Sequence, residues 1–160
     1  MAEVDEPGWD VVMANTLAII DALSEQVTCY RKLARLAEAQ REHVQQSHME
    51  ALLGVLQSRQ QILEQLQNLE FIIGPAKKRW SEFLDEIEPE SRSLAEQMLA
   101  ETRKLLEQIM ASDRNDALAL EQRKVNLGKQ IKQAAGARQI NRNYATAAYG
   151  RRASRMDIHQ

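Results

Sequence analysis

The stretch SHMEALLGVLQSRQQILEQLQNLEFIIGP, residues 47 to 75, decides the fold. Its apolar residues Met49, Leu52, Leu53, Leu56, Ile62, Leu63, Leu66 and Leu69 recur mostly in steps of three and four. That spacing predicts an amphipathic helix over about residues 48–73, with this set on its buried side. Ser47-His48-Met49-Glu50 reads as a capping box that opens the helix. Gly74-Pro75 closes it, because glycine frees the backbone and proline has no N–H to donate. Upstream, Met13, Leu17, Ile20, Leu23, Val27, Tyr30, Ala34 and Ala37 keep the same spacing, with Leu33 and Leu36 widening the stripe. A first helix therefore spans about residues 10–45, and a turn of two or three residues forces the two helices antiparallel.

Downstream, Trp80, Phe83, Leu84 and Ile87 mark a short helix within 75–87, and Pro89 breaks the chain. Leu94, Met98, Thr102, Leu105 and Ile109 carry a helix over 90–111. Ser112-Asp113 reads as a polar break and the N-cap of a last helix, 113–149. Its seam runs through Ala117, Leu120, Lys124, Leu127, Ile131, Ala134, Arg138, Asn141, Ala145 and Ala148. Leu and Ile give way to Ala, Asn and Arg after Ile131, so the seam buries little apolar area on its own body. The expected architecture is all-α: an elongated bundle of long antiparallel helices, arranged as helical hairpins with coiled-coil-like packing. It forms one domain over 1–150, followed by a flexible basic tail at 151–160.

Composition agrees with this. The 160 residues are 44% hydrophobic but include only seven aromatics, six glycines and three prolines, which argues against a β-sandwich or barrel. The longest apolar runs are three or four residues, far short of the roughly 18 that a membrane span needs. The acidic start MAEVDEPGWD does not read as a secretory signal, and the single Cys29 has no internal disulfide partner, so a reducing cytoplasm is expected. Charge is unevenly placed. Residues 1–121 carry 12 basic and 22 acidic groups, a net of −10, whereas residues 122–156 carry nine basic groups and no acidic one.

No constellation for catalysis emerges, and a non-enzyme without cofactor or metal is expected. The glycines are isolated and form no phosphate loop. His43 and His48 flank the first turn as loop residues. Glu86 with Glu88, and Asp113 with Asp116, sit at helix ends where carboxylates serve capping and the helix dipole. Cys29 has Arg31 and Lys32 nearby, which would lower a thiol pKa, but no histidine, and reads as structural. The basic arm with Tyr144 and Tyr149 admits phosphate contact and base stacking. The acidic body opposes a polyanion, and the cations read as spaced around the helix, with Lys124, Ile131, Arg138 and Arg142 off any one narrow stripe. No nucleic-acid partner is therefore expected. The incomplete apolar face at Ile131, Ile140, Tyr144, Ala148 and Tyr149 fits a partner helix, or alternatively packing against the chain's own N-terminal hairpin.

The chain also resembles a known family. Its long N-terminal helix, its second helix SHMEALLGVLQSRQQILEQL and its C-terminal helix ending NRNYATAAYGRRASRMD are similar to the FlgN-type flagellar export chaperones, over roughly residues 12–155. The most pointed feature is Tyr149-Gly150 after a polar, Asn-rich helix. The resemblance implies a small all-helical protein that holds hook-associated (hook–filament junction) flagellar proteins and delivers them to the flagellar export gate. It implies partner contacts at Ile140, Tyr144, Ala148 and Tyr149, either tyrosine being a candidate for the gate. It also implies a more acidic tail than RRASR, residues 151–155. The other reading of the same seams is a coiled-coil adaptor that forms a homo-oligomer.

Overall fold

The computed structural model describes the backbone over residues 6–157 and the side chains over 12–148. Four helices follow in order, α1 (Glu6–Gln46), α2 (Met49–Lys78), α3 (Trp80–Glu86) and α4 (Pro89–Asp157), with no strand among the described residues. The chain is an all-α helical bundle. It divides into two compact units, residues 1–116 and 117–160.

Within the first unit α1 and α2 form an antiparallel hairpin. Cys29 meets Gln65 and Gln40 meets Arg59, so the partners approach one another toward the turn. α4 runs parallel to α1 over this stretch, since Arg31 pairs with Glu101 and Gln40 with Asp116, the two numbers rising together. The core joins Ile19, Leu23, Val27 and Leu33 of α1 to Ile62, Leu66, Leu69 and Ile73 of α2. Phe83 of α3, Ile87 just after it, and Ala95, Met98 and Ile109 of α4 close it. Leu23 and Ile73 are wholly buried, and each stabilises the fold by roughly 1.5–3 kcal/mol through its removal from water.

Several local readings are corrected. The capping box does not form: Ser47 takes a left-handed φ of 58° as α1 ends, and His48 becomes the N-cap of α2 without a side-chain capping bond. The His48 N–H reaches back to the His43 carbonyl at 3.0 Å and the Ser47 N–H to Val44, satisfying the last carbonyls of α1. Pro75 does not end α2 but lies inside it, its last turn held down by buried Ile73 and Ala76 on either side. The break falls at Arg79, whose N–H bonds the Ala76 carbonyl, so α3 begins only at Trp80. Pro89 does break the chain, and it occupies the first turn of α4, where its missing N–H costs nothing.

The Ser112-Asp113 break is absent, and α4 is unbroken from Pro89 to Asp157. No glycine or proline stands there, and Asp113 is engaged by a side chain of α2 instead of capping a helix. The expected unstructured tail is helical in its backbone through Asp157, Ala, Arg and Met being adequate helix formers. Residues 158–160 of that tail lie outside the described residues.

Candidate functional site

Burial pushes the Cys29 thiol up from its ordinary pKa, against the opposing pull of Lys32, and its nearest polar partner is Gln65 Oε1 at 3.9 Å. Arg31, one of the two cations expected to activate it, instead forks onto Glu101 at 2.8 and 2.9 Å. His43 lies in the last turn of α1, not in a loop, with its ring 6.2 Å from that of His48. Among the described residues no group of three His, Cys, Asp or Glu is placed to hold a metal ion.

Asp113 and Asp116 also leave the role of helix-end carboxylates. Arg59 of α2 donates both terminal nitrogens to Asp113 at 2.7 Å and one of them to Gln40 Oε1. Gln40 Nε2 donates onward to the buried Asp116 at 3.0 Å. The hydrogen bond to Asp113 raises the Arg59 pKa above its ordinary value, so the guanidinium is permanently charged. This chain of bonds ties α1, α2 and α4 together at one level of the first unit and fixes the register of α4.

The second unit carries the residues that the sequence singled out. Leu127, Ile131 and Tyr144 are 58%, 61% and 74% exposed, and Leu118, Leu120, Val125 and Ile140 are exposed as well. Ala148 is exposed, and the side chain of Tyr149 lies outside the described residues. These residues do not make one surface. On an unbroken helix turning about 100° per residue, Ile140, Tyr144 and Ala148 share a sector of about 80°. Ile131, nine positions before Ile140, is half a turn away from it.

Ile131 belongs instead with Leu120, Leu127, Ala134 and Ala145, within a sector of about 60°. The cations divide: Lys129 and Lys132 lie on other faces of the helix, as expected of charges spaced around it, but three others are aligned. Lys124, Ile131, Arg138 and Arg142 fall within about 40° of one another, which corrects the reading that they share no stripe. Leu120 and Leu127 were thus missing from the expected site, as were the three cations beside them. The signal for them was the seven-residue step from Leu120 to Leu127, followed by four to Ile131.

A second exposed stripe was likewise hidden in the sequence. Met49, Leu53, Leu56 and Leu63 of α2, expected in the core, face outward, while Leu52, Val55, Ile62, Leu66 and Leu69 are buried. Compared with known protein families, with curated proteins and with solved structures, the chain finds no match in any of the three.

Proposed function

We propose that this protein is a helix-binding export chaperone of the FlgN type. It holds the amphipathic helical terminus of a hook-associated flagellar protein against residues 117–148 of α4 and passes it to the export gate from the cytoplasm. The observation that carries the reading is that apolar side chains at heptad spacing, Leu120, Leu127 and Ile131, stand exposed on an unbroken helix. An apolar seam of this spacing is what a partner helix packs against, knob into hole. Such a protein needs no nucleotide: it keeps a self-assembling client apart by binding it more tightly than the client binds itself. No helix among the described residues is long and apolar enough to cross a membrane.

The test is co-purification from native cells, with captured flagellar proteins identified by mass spectrometry. Two full-length variants, Leu127→Asp with Ile131→Asp and Ile140→Asp with Tyr144→Asp, change only exposed positions and are expected to keep the parent's thermal stability. The first pair is expected to lose the hook-associated client. Client capture undiminished in both variants refutes the reading, as does the absence of any hook-associated protein from the parent's capture.

A further inference from the structure

The cations beside the apolar strip identify the chemistry of what covers it. Lys124, Arg138 and Arg142 lie in or along the edge of the sector that holds Leu120, Leu127 and Ile131. Surface helices ordinarily neutralise such groups with carboxylates three or four positions away. Lys124 has Glu121 three positions before it, but Arg138 and Arg142 have no such neighbour, because residues 122–156 contain no Asp or Glu. In the first unit four of the twelve cations, Arg31, Arg59, Lys77 and Arg79, are ion-paired, with Glu101, Asp113, Glu70 and Glu82.

We propose that the helix docked on residues 120–145 is an acidic amphipathic helix, apolar at heptad spacing and flanked by Asp or Glu. The inference rests on the helix-docking reading above and adds the partner's charge. A second copy of the same segment is disfavoured, because it would set six cations and a single carboxylate, Glu121, against the same set. A nucleic acid would neutralise the charge but leave the exposed Leu120, Leu127 and Ile131 uncovered. An acidic helix meets both demands. Its apolar knobs cover the leucines and isoleucine, and its flanking carboxylates take the positions that pair charges across a coiled coil. Ala134 and Ala145 in the same sector leave room for close approach.

The test titrates the full chain with two synthetic peptides of about four heptads, identical in Ile and Leu core residues. One carries Glu and the other Lys at every flanking position, so each repels itself and is unfolded alone. Binding is read by calorimetry and by the gain of helix in circular dichroism. The Glu peptide is expected to bind at least about tenfold more tightly than the Lys peptide, and its binding to weaken with added salt. In the variant Lys124→Glu with Arg138→Glu and Arg142→Glu the preference is expected to reverse; a matching triple Gln variant is expected to abolish it.

Equal binding of both peptides overturns the acidic-partner inference while leaving helix docking intact. Binding of neither overturns both. A single-stranded oligonucleotide that displaces the Glu peptide at lower concentration also overturns the inference. So does a dimer of the protein alone, by sedimentation, that the charge reversal dissolves, since a second copy is then the occupant.

Discussion

Removing Arg59 tests whether the polar chain between α1, α2 and α4 holds the bundle together or merely decorates it. The guanidinium forks onto Asp113 with both bonds at 2.7 Å, and its side chain is 13% exposed against 37% for the aspartate. Fully exposed pairs contribute about 0.2–1 kcal/mol, whereas removing one partner of a buried pair costs about 3–5 kcal/mol. Half-burial places Arg59→Met between these limits, at about 2–3 kcal/mol. Asp113 retains access to water, but buried Asp116 loses the nearby cation and keeps only the Gln40 donor described above. Asp113→Ala is expected to cost less, about 1–2 kcal/mol, because Arg59 still donates to Gln40. A double-mutant cycle by urea unfolding, followed by far-UV circular dichroism, isolates the pair, with an expected coupling of about 1–2 kcal/mol. A coupling below about 0.3 kcal/mol would refute the reasoning, since it would mean that water screens the pair as it does an exposed one.

Two further outcomes follow from burial. Leu66, 8% exposed, is expected to cost about 2–5 kcal/mol on change to Ala, whereas Leu56, 45% exposed, costs under about 1 kcal/mol; equal losses in urea unfolding would contradict the described face of α2. Cys29 and Tyr30 both have pKa values raised chiefly by burial, so the unfolded chain ionises first as pH rises. Their contribution is fully present below about pH 9 and is lost as pH climbs through the folded values. Stability measured across that range is expected to fall less steeply in Cys29→Ala than in the parent, and a thiol reagent at pH 8 is expected to label the native protein more slowly than the unfolded one.

The hairpin of α1 and α2 was legible because Leu23, Val27, Ile62, Leu66 and Leu69 repeat at helical spacing and few turn residues intervene. Which flank of a wide stripe faces inward was not. Met49, Leu53, Leu56 and Leu63 continue the apolar set of α2 on its outer side, and only the placement of α1 and α4 decides between the flanks. The missing break at Ser112-Asp113 has a similar origin. Asp113 is a good cap in isolation, but its partner Arg59 lies 54 positions away, beyond the reach of any local pattern. Pro75 misled because buried Ile73 and Ala76 hold the last turn of α2 despite the lost hydrogen bond. In the second unit the exposed residues were legible as a thinning seam. The division of Ile131 from Ile140 and the alignment of Lys124, Arg138 and Arg142 required only the angle per residue, once no break intervened.

The two units are stabilised by different physics, and that difference bears on how the proposed partner helix would be held. Residues 1–116 derive their order from burial of an apolar core and from ion pairs between helices. Residues 117–148 are mostly exposed, with no fully buried side chain, so their helix rests mainly on intrinsic propensity. Propensity alone is a weak support, and Gly128 and Gly136 weaken it further, each by about 1 kcal/mol relative to Ala. A Cβ built on either glycine meets nothing within 4 Å, so no packing within the chain requires glycine there. A partner helix along Leu120, Leu127 and Ile131 would supply the burial that the segment lacks, so that binding and helix stability rise together. Part of the binding energy is then spent on ordering the segment, which lowers affinity and speeds release. The proposed chaperone function, in which a client is surrendered at a gate without nucleotide hydrolysis, is better served by a marginal helix than by a rigid one.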